Sequence, residues 1–76
     1  MSEMEWLRIF GGNLQYLMEQ RGMSQRGLAE AANLNQGSIS RYICAQQMPG
    51  PKALINIAHA LGISLDELMD FGDMIY

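Results

Sequence analysis

The sequence predicts an all-α fold in which five helices form one bundle, and three observations support this prediction. Apolar residues recur at intervals of three and four along most of the chain, the spacing that places them on one face of an α-helix. Residues that cap helices stand before and after these segments. No segment shows the alternation of polar and apolar residues that indicates a half-buried strand.

The first helix is predicted to begin near residue 3 and to run up to a stop at Gly22. Ser2 and Glu5 have the spacing of a capping box, in which side chains bond the free N–H groups of the first turn. An apolar stripe follows, made of Trp6, Ile9, Phe10, Leu14, Leu17 and Met18. The pair Gly11–Gly12 costs about 1 kcal/mol per glycine relative to alanine. We therefore expect it either to bend the helix or to let another backbone come close.

The central sequence SQRGLAEAANLNQGSISRYI is predicted to form two short helices, at about 24–32 and 35–44, joined by a tight turn. Ser24 suits the N-cap of the first of these helices, and Asn35 suits the N-cap of the second. Asn33 is suited to the left-handed conformation that ends a helix, because asparagine tolerates it better than most residues.

The second of these short helices has two unlike faces. Ile39, Tyr42 and Ile43 fall on one apolar face. The opposite face is small or polar and carries Gln36, Gly37, Ser40, Arg41 and Cys44. Because so short a helix cannot bury both faces, we expect the polar one to be presented to a partner.

Residues 45–50 are predicted to form a loop, after which Pro51 suits the first turn of a fourth helix closed by Gly62. The buried stripe of that helix is expected to contain Leu54, Ile57, Ala58 and Leu61. Ser64 and Glu67 form a second capping box, which opens a fifth helix. The residues of the fifth helix expected to point inward are Leu65, Leu68 and Met69.

The two central helices resemble the helix-turn-helix of the Cro and phage-repressor family, the XRE-type regulators. The resemblance rests on "SQRGLA", on Asn33 where the family usually has the turn glycine, on "SIS-R" and on the later "IAHALGISLDEL". In this class of domain the second helix of the pair enters the major groove, and its N-terminal residues reach base edges.

The resemblance covers residues 10–70, nearly the whole chain. It implies a lambda-repressor-like DNA-binding bundle, a single domain over 1–76 with its helix-turn-helix at about 24–44. Residues 1–9 then form an N-terminal extension and residues 71–76 an apolar C-terminal tail.

The resemblance also implies which positions touch DNA. It assigns contacts to the positions of Gln25, Gln36, Gly37, Ser40 and Arg41, with Gln25 anchoring a phosphate. The side-chain chemistry agrees, because glutamine can bond adenine bidentately and arginine can bond guanine or a phosphate. The full set of candidate DNA-binding residues is Gln25, Gln36, Gly37, Ser38, Ser40, Arg41, Gln46 and Lys52.

Few cations support these contacts. The loop after the third helix usually carries Lys or Arg in this family, whereas here it reads Ala-Gln-Gln-Met over residues 45–48. Gln46 can still bond a phosphate, but without the counterion release that drives affinity, and Lys52 is the only cation nearby. The net charge is −3. DNA binding is therefore expected to be weak for a monomer and to depend on a homodimer.

One departure from the family pattern concerns the core. Family members commonly pair an Arg late in the first helix with a Glu late in the third. The matching positions here are Met18 and Ile43, both apolar. Replacing both members of a buried ion pair by hydrophobic residues is often neutral or stabilising. We therefore expect these two side chains to meet in the core.

Composition argues against several other functions. The single cysteine, Cys44, excludes an intrachain disulfide, and neither it nor His59 has the spaced partners of a metal site or catalytic centre. We expect no enzyme activity, metal or cofactor. Because the sequence has no signal peptide and no apolar run of about 18 residues, the chain is expected to be cytoplasmic and not membrane-bound.

The predicted function is sequence-specific binding of double-stranded DNA by a small, dimeric transcriptional regulator of the phage-repressor type. The alternative is a helix-turn-helix fold used as a protein-interaction module, antirepressor or antitoxin-like, with weak or no DNA binding. The polar face of the third helix favours the first function, and the loop without cations favours the second. The apolar tail is expected to join the dimer through the fifth helix or to fold back on Trp6.

Overall fold

The structure, a computed structural model, describes residues 2–69. Five helices follow in order: α1 (Glu3–Gln20), α2 (Gln25–Ala32), α3 (Gln36–Ile43), α4 (Pro51–Leu61) and α5 (Leu65–Leu68). No strand occurs within this part of the chain, so the predicted all-α bundle is confirmed. The expectations for the tail at 71–76 lie outside the described residues.

Side chains cap four of the helices at their N-termini, as the sequence predicts. A serine hydroxyl accepts a backbone N–H in three of these caps, and the Asn35 carboxamide does so before α3. The bonds run from Glu5 to Ser2 at 3.1 Å, Gly27 to Ser24 at 2.9 Å, Gly37 to Asn35 at 2.7 Å and Glu67 to Ser64 at 3.1 Å. The starts of these helices therefore follow from residues that are two or three positions apart in the sequence.

The four longer helices also end in the same way, each with a left-handed residue just past the last turn. These residues are Gly22, Asn33, Ala45 and Gly62, with φ values of 60°, 56°, 58° and 70°. In each case the next backbone N–H returns to the carbonyl five residues earlier, at 2.8–3.0 Å, which is the Schellman arrangement. Asn33 confirms its predicted role. Ala45 was not expected there, because a β carbon disfavours this conformation.

The core lies where α1, α2, α3 and α4 meet, and α5 closes one side of it. Its fully buried large side chains are Phe10, Leu14, Leu28, Ile39, Ile57 and Leu68. Leu54, which was expected to be buried, is only half-buried at the edge of this cluster. The expectation for Leu65 was wrong, since its side chain is 41% exposed. Because α5 is a single turn, its first residue lies at the rim while Leu68 is enclosed.

Two hydrogen bonds from α1 and its C-cap hold the ends of the last two helices. The buried Asn13 donates through Nδ2 to the carbonyl oxygen of Leu68 at 2.8 Å. Arg21 donates through Nε to the carbonyl oxygen of Leu61 at 2.7 Å. A cation at the C-terminus of α4 also complements the negative end of that helix dipole. Sequence reasoning gave neither contact.

Candidate nucleic-acid interface

α2, α3 and the turn between them form a two-helix unit whose apolar faces are anchored in the core. Leu28, Ala29 and Ala32 are buried on α2, and Ile39 and Tyr42 are buried on α3. The turn is closed by the left-handed Asn33 and by the Asn35 cap of α3. Since one side of α3 is fixed inward, its other side is held facing out of the bundle.

The outward side of α3 carries the predicted polar residues. Gln36 and Arg41 are exposed, and so is Cys44 at the C-terminal end of the helix. Gly37, Ser38 and Ser40 on the same helix are half-buried. The geometry therefore gathers five of the candidate residues on one accessible face: Gln36, Gly37, Ser38, Ser40 and Arg41.

The guanidinium of Arg41 lies back along α3 toward its first turn. Its Nε donates to Oε1 of Gln47 at 2.6 Å, and its Nη2 approaches Oγ of Ser38 at 3.4 Å. A β carbon at Gly37 would lie 3.3 Å from Nη1. Long side chains on a helix point toward its N-terminus in this way. The only cation on α3 is thus brought to the end of the helix that carries Gln36.

Gln47 is a residue of this face that sequence reasoning did not single out. It lies six residues after Arg41, beyond the end of α3, so no helical spacing relates the two. The link depends on the left-handed Ala45, which turns the chain back toward α3. A sequence signal for it is missing, because alanine does not mark a left-handed position.

Three candidate residues lie away from the centre of this face. Gln25 is the first residue of α2 and is half-buried beside the Ser24 cap. Gln46 is exposed, but its backbone N–H donates to the carbonyl oxygen of Arg41 at 2.8 Å. Only its side chain is therefore left to bond a phosphate. Lys52 is exposed on α4, where it borders a shallow groove shared with Asn33 and residues of α2 and α4.

Positive charge near this face is sparse. Arg26 on α2 is paired with Glu30 at 3.4 Å, an exposed pair one helical turn apart. Among residues 2–69, this is the one ion pair within 4 Å, so Arg41 has no carboxylate partner there. An exposed pair such as Arg26–Glu30 contributes little to stability but locally offsets the charge of the arginine.

The described residues give no sign of a metal centre. Within residues 2–69, no group of three His, Cys, Asp or Glu side chains is placed to hold a metal ion. None of the helices in the same range has the length and apolar character needed to cross a bilayer.

An all-helical bundle with a short helix, a left-handed turn and a second helix presenting a polar face defines a helix-turn-helix domain. A family model described as helix-turn-helix matches residues 14–68. The chain belongs to this XRE-type helix-turn-helix family, which confirms the resemblance to Cro and phage-repressor proteins.

A curated relative and two solved structures show what the chain is similar to. It is 30% identical over 61 residues to the uncharacterized HTH-type transcriptional regulator YqaE of Bacillus subtilis (strain 168). That match covers 80% of this chain and 53% of YqaE, so the chain spans about half the length of this relative.

The first structure is the restriction-modification controller protein C.AhdI from Aeromonas hydrophila, with a TM-score of 0.80 and 29% identity. The match covers 82% of this chain and 94% of C.AhdI. The second is the clp gene regulator ClgR from Corynebacterium glutamicum, with a TM-score of 0.79 and 25% identity. It covers 84% of this chain and 68% of ClgR. All three relatives are named as regulators or controllers, and none as an enzyme.

Proposed function

We propose that this chain is a cytoplasmic transcriptional regulator that binds double-stranded DNA sequence-specifically, as a homodimer, with α3 in the major groove. The observation that carries the proposal is the outward face of α3, where exposed Gln36 and Arg41 stand opposite buried Ile39 and Tyr42. This arrangement presents a hydrogen-bonding surface on a rigid helix. The likeness to named regulators supports the same function.

The chemistry of this face suits base recognition. Gln36 lies in the first turn of α3, where its amide can accept from N6 and donate to N7 of adenine. Arg41 can donate to O6 and N7 of guanine, and its guanidinium already lies near the first turn. Ser38 and Ser40 can each donate or accept. Gly37 removes side-chain bulk, which leaves room for the Arg41 guanidinium, since a β carbon there would lie 3.3 Å from Nη1.

The proposal includes fewer contacts to phosphates than to bases. Gln25 at the start of α2, the Gln46 side chain and Lys52 are the groups assigned to them. Only Lys52 is a cation, so each subunit releases few counterions and binds weakly on its own. A homodimer doubles the contacts and reads two half-sites about one helical turn apart.

The test is selection of bound sequences from random duplex DNA, followed by measured affinities of variants. Gln36→Ala should weaken binding to the selected site by about 1–3 kcal/mol and relax the preference at one base pair. Arg41→Ala should do the same at a different base pair. The control is Gln15→Ala, an exposed change on α1 that should alter neither affinity nor preference. Sedimentation of the protein with the selected duplex measures whether two subunits bind.

The second candidate function is protein interaction through the same fold. It is favoured by the loop over residues 45–48, where no side chain is charged and Met48 is 38% exposed. If the wild-type protein binds no duplex at low salt, and if Gln36→Ala and Arg41→Ala are equally inert, the protein-interaction function replaces DNA recognition.

A further inference from the structure

We infer that Gln47 is a positioning residue for DNA recognition: it fixes the guanidinium of Arg41 so that only its Nη1–Nη2 edge faces the bases. This inference rests on the proposed function and adds how one base is read. Gln47 itself is not assigned a contact with DNA.

The hydrogen bonds of Arg41 determine which of its edges is available. A guanidinium has five N–H donors, of which only one is on Nε. That single donor is taken by Oε1 of Gln47 at 2.6 Å, the shortest side-chain hydrogen bond among residues 2–69. A guanidinium can offer two neighbouring N–H groups either through Nε and Nη2 or through Nη1 and Nη2. Gln47 therefore blocks the Nε–Nη2 edge and leaves the Nη1–Nη2 edge available.

The second edge is nearly free of partners in the described structure. Nη2 has one long contact, 3.4 Å to Oγ of Ser38, and keeps a second N–H. Nη1 makes no hydrogen bond to any residue in the range 2–69, and lies beside Gly37, where a β carbon would come within 3.3 Å. The open edge is therefore located at the first turn of α3, the part of the helix that reaches base edges in this docking mode.

The backbone explains how Gln47 reaches Arg41. The left-handed Ala45 reverses the chain, and the N–H of Gln46 bonds the carbonyl oxygen of Arg41 at 2.8 Å. The next side chain in the sequence, Gln47, is then alongside the Arg41 side chain. Since Nε can only donate, the amide oxygen of Gln47 must face it, and its NH₂ group faces away.

Holding the arginine in place matters for discrimination between bases. A free arginine side chain loses rotamer freedom on binding and can adopt either edge, so it accepts several base arrangements. An arginine already held in its binding geometry loses less freedom and offers one pattern of donors. The Nη1–Nη2 edge matches O6 and N7 of guanine.

The experiment compares Gln47→Ala with Gln46→Ala, the same change one residue earlier at a side chain that makes no hydrogen bond to Arg41. The base pair read by Arg41 is first identified as the one at which Arg41→Ala loses discrimination. Gln47→Ala should lower guanine preference at that pair by about threefold to tenfold, a fraction of what a whole bidentate contact provides. It should leave the base pair read by Gln36 unchanged. Gln46→Ala removes a proposed phosphate contact, so it should weaken binding to all sequences alike while the preference at both pairs stays unchanged.

Two further variants separate positioning from direct contact. Gln47→Glu keeps an acceptor for Nε, so the guanine preference should stay near the wild-type value while its charge weakens binding to all DNA alike. In an Arg41→Ala background, Gln47→Ala should cause no further loss of preference, because its effect passes through Arg41. If Gln47→Ala weakens binding to all sequences equally, and still does so in the Arg41→Ala background, the inference is overturned. Gln47 would then contact a phosphate.

A measurement without DNA tests the contact itself. In the free protein, the NMR signal of the Arg41 Nε–H should shift and exchange faster with water in Gln47→Ala, and should not change in Gln46→Ala. An unchanged signal in Gln47→Ala overturns the inference. If the wild-type protein binds DNA and Gln47→Ala keeps the full guanine preference, the inference alone is overturned. Absence of any duplex binding by the wild-type protein overturns the proposed function and this inference with it.

Discussion

Gly11 on α1 lies directly against the carbonyl oxygen of Ile43 at the end of α3. A β carbon on Gly11 would be 2.6 Å from that oxygen and 2.8 Å from the carbonyl oxygen of Tyr42. Real β carbons do not approach backbone oxygens so closely, so this contact requires glycine. α1 and α3 therefore touch backbone to backbone, and the contact sets how far the presented face of α3 stands from the core.

The first prediction concerns the two adjacent glycines of α1. Gly11→Ala should lower the free energy of unfolding by about 1–3 kcal/mol, because the added carbon forces α3 away from α1. Gly12→Ala should raise it by about 0.5–1 kcal/mol, because nothing lies within 4 Å of that position and alanine favours the helix. Urea unfolding measures both. The same sign for both variants would contradict the backbone contact.

The second prediction concerns the left-handed Ala45. Ala45→Gly should stabilise the protein by about 1 kcal/mol, because it removes the clash of the β carbon with the backbone at φ 58°. The matched control is Ala31→Gly, the same change at an exposed helical position of α2, which should destabilise by about 1 kcal/mol. Thermal unfolding should shift in opposite directions for the two variants. A loss of stability in both would mean that Ala45 is not left-handed in solution.

The third prediction concerns the buried hydrogen bond from Asn13 to the carbonyl oxygen of Leu68, 2.8 Å long. Asn13→Ala removes the donor and leaves that oxygen without a partner, which should cost about 1–3 kcal/mol. Gln15→Ala, an exposed change two residues away, should stay within about 0.5 kcal/mol of wild type. Amide hydrogen exchange should show faster opening of α5 in Asn13→Ala. If the two variants change the free energy of unfolding equally, the hydrogen bond from Asn13 does not stabilise α5.

These residues show why some features could be predicted from the sequence and others could not. The cap at Ser24 and the left-handed turn at Asn33 depend on residues a few positions apart and on residue types that favour those conformations. The Gly11–Ile43 contact joins residues on different helices. The two adjacent glycines therefore indicated that another backbone could come close, but the sequence did not identify which one. Ala45 carries no signal, because alanine disfavours the conformation that it adopts.

The candidate site also contains one feature that could be predicted from local sequence and one that could not. The polar face of α3 was predictable, since the apolar spacing of Ile39 and Tyr42 fixes the opposite side of the helix. The contact between Arg41 and Gln47 was not, because it depends on the path of a loop whose turn the sequence does not mark.

The fourth prediction concerns Met18 and Ile43, the two apolar residues at the positions where the family resemblance implies an ion pair. Met18 is buried in the core cluster and Ile43 packs against that cluster half-buried. Ile43→Glu should cost about 3 kcal/mol, because it moves an unpaired carboxylate toward the core. Adding Met18→Arg should recover part of that loss if the two side chains meet. Additive losses in urea unfolding would show that they do not.

The last prediction concerns salt and separates a phosphate contact from a base contact. Each subunit has two cations near the proposed interface, Arg41 and Lys52, and a third on α2, Arg26. A dimer therefore places about four to six cations near the DNA, and the log–log salt slope should be about −4 to −5. Lys52→Ala should weaken binding to selected and random duplexes alike, and should flatten the slope by about one unit for each phosphate that is no longer neutralised. Arg41→Ala, as a reader of guanine, should instead reduce the ratio between the selected and random duplexes. If Lys52→Ala changes that ratio and leaves the slope unchanged, Lys52 does not hold a phosphate. Lys52 lies on α4 and borders a groove that is lined by residues of α2, α4 and the turn at Asn33 but by none of α3. This position is the reason to expect a phosphate contact and not a base contact.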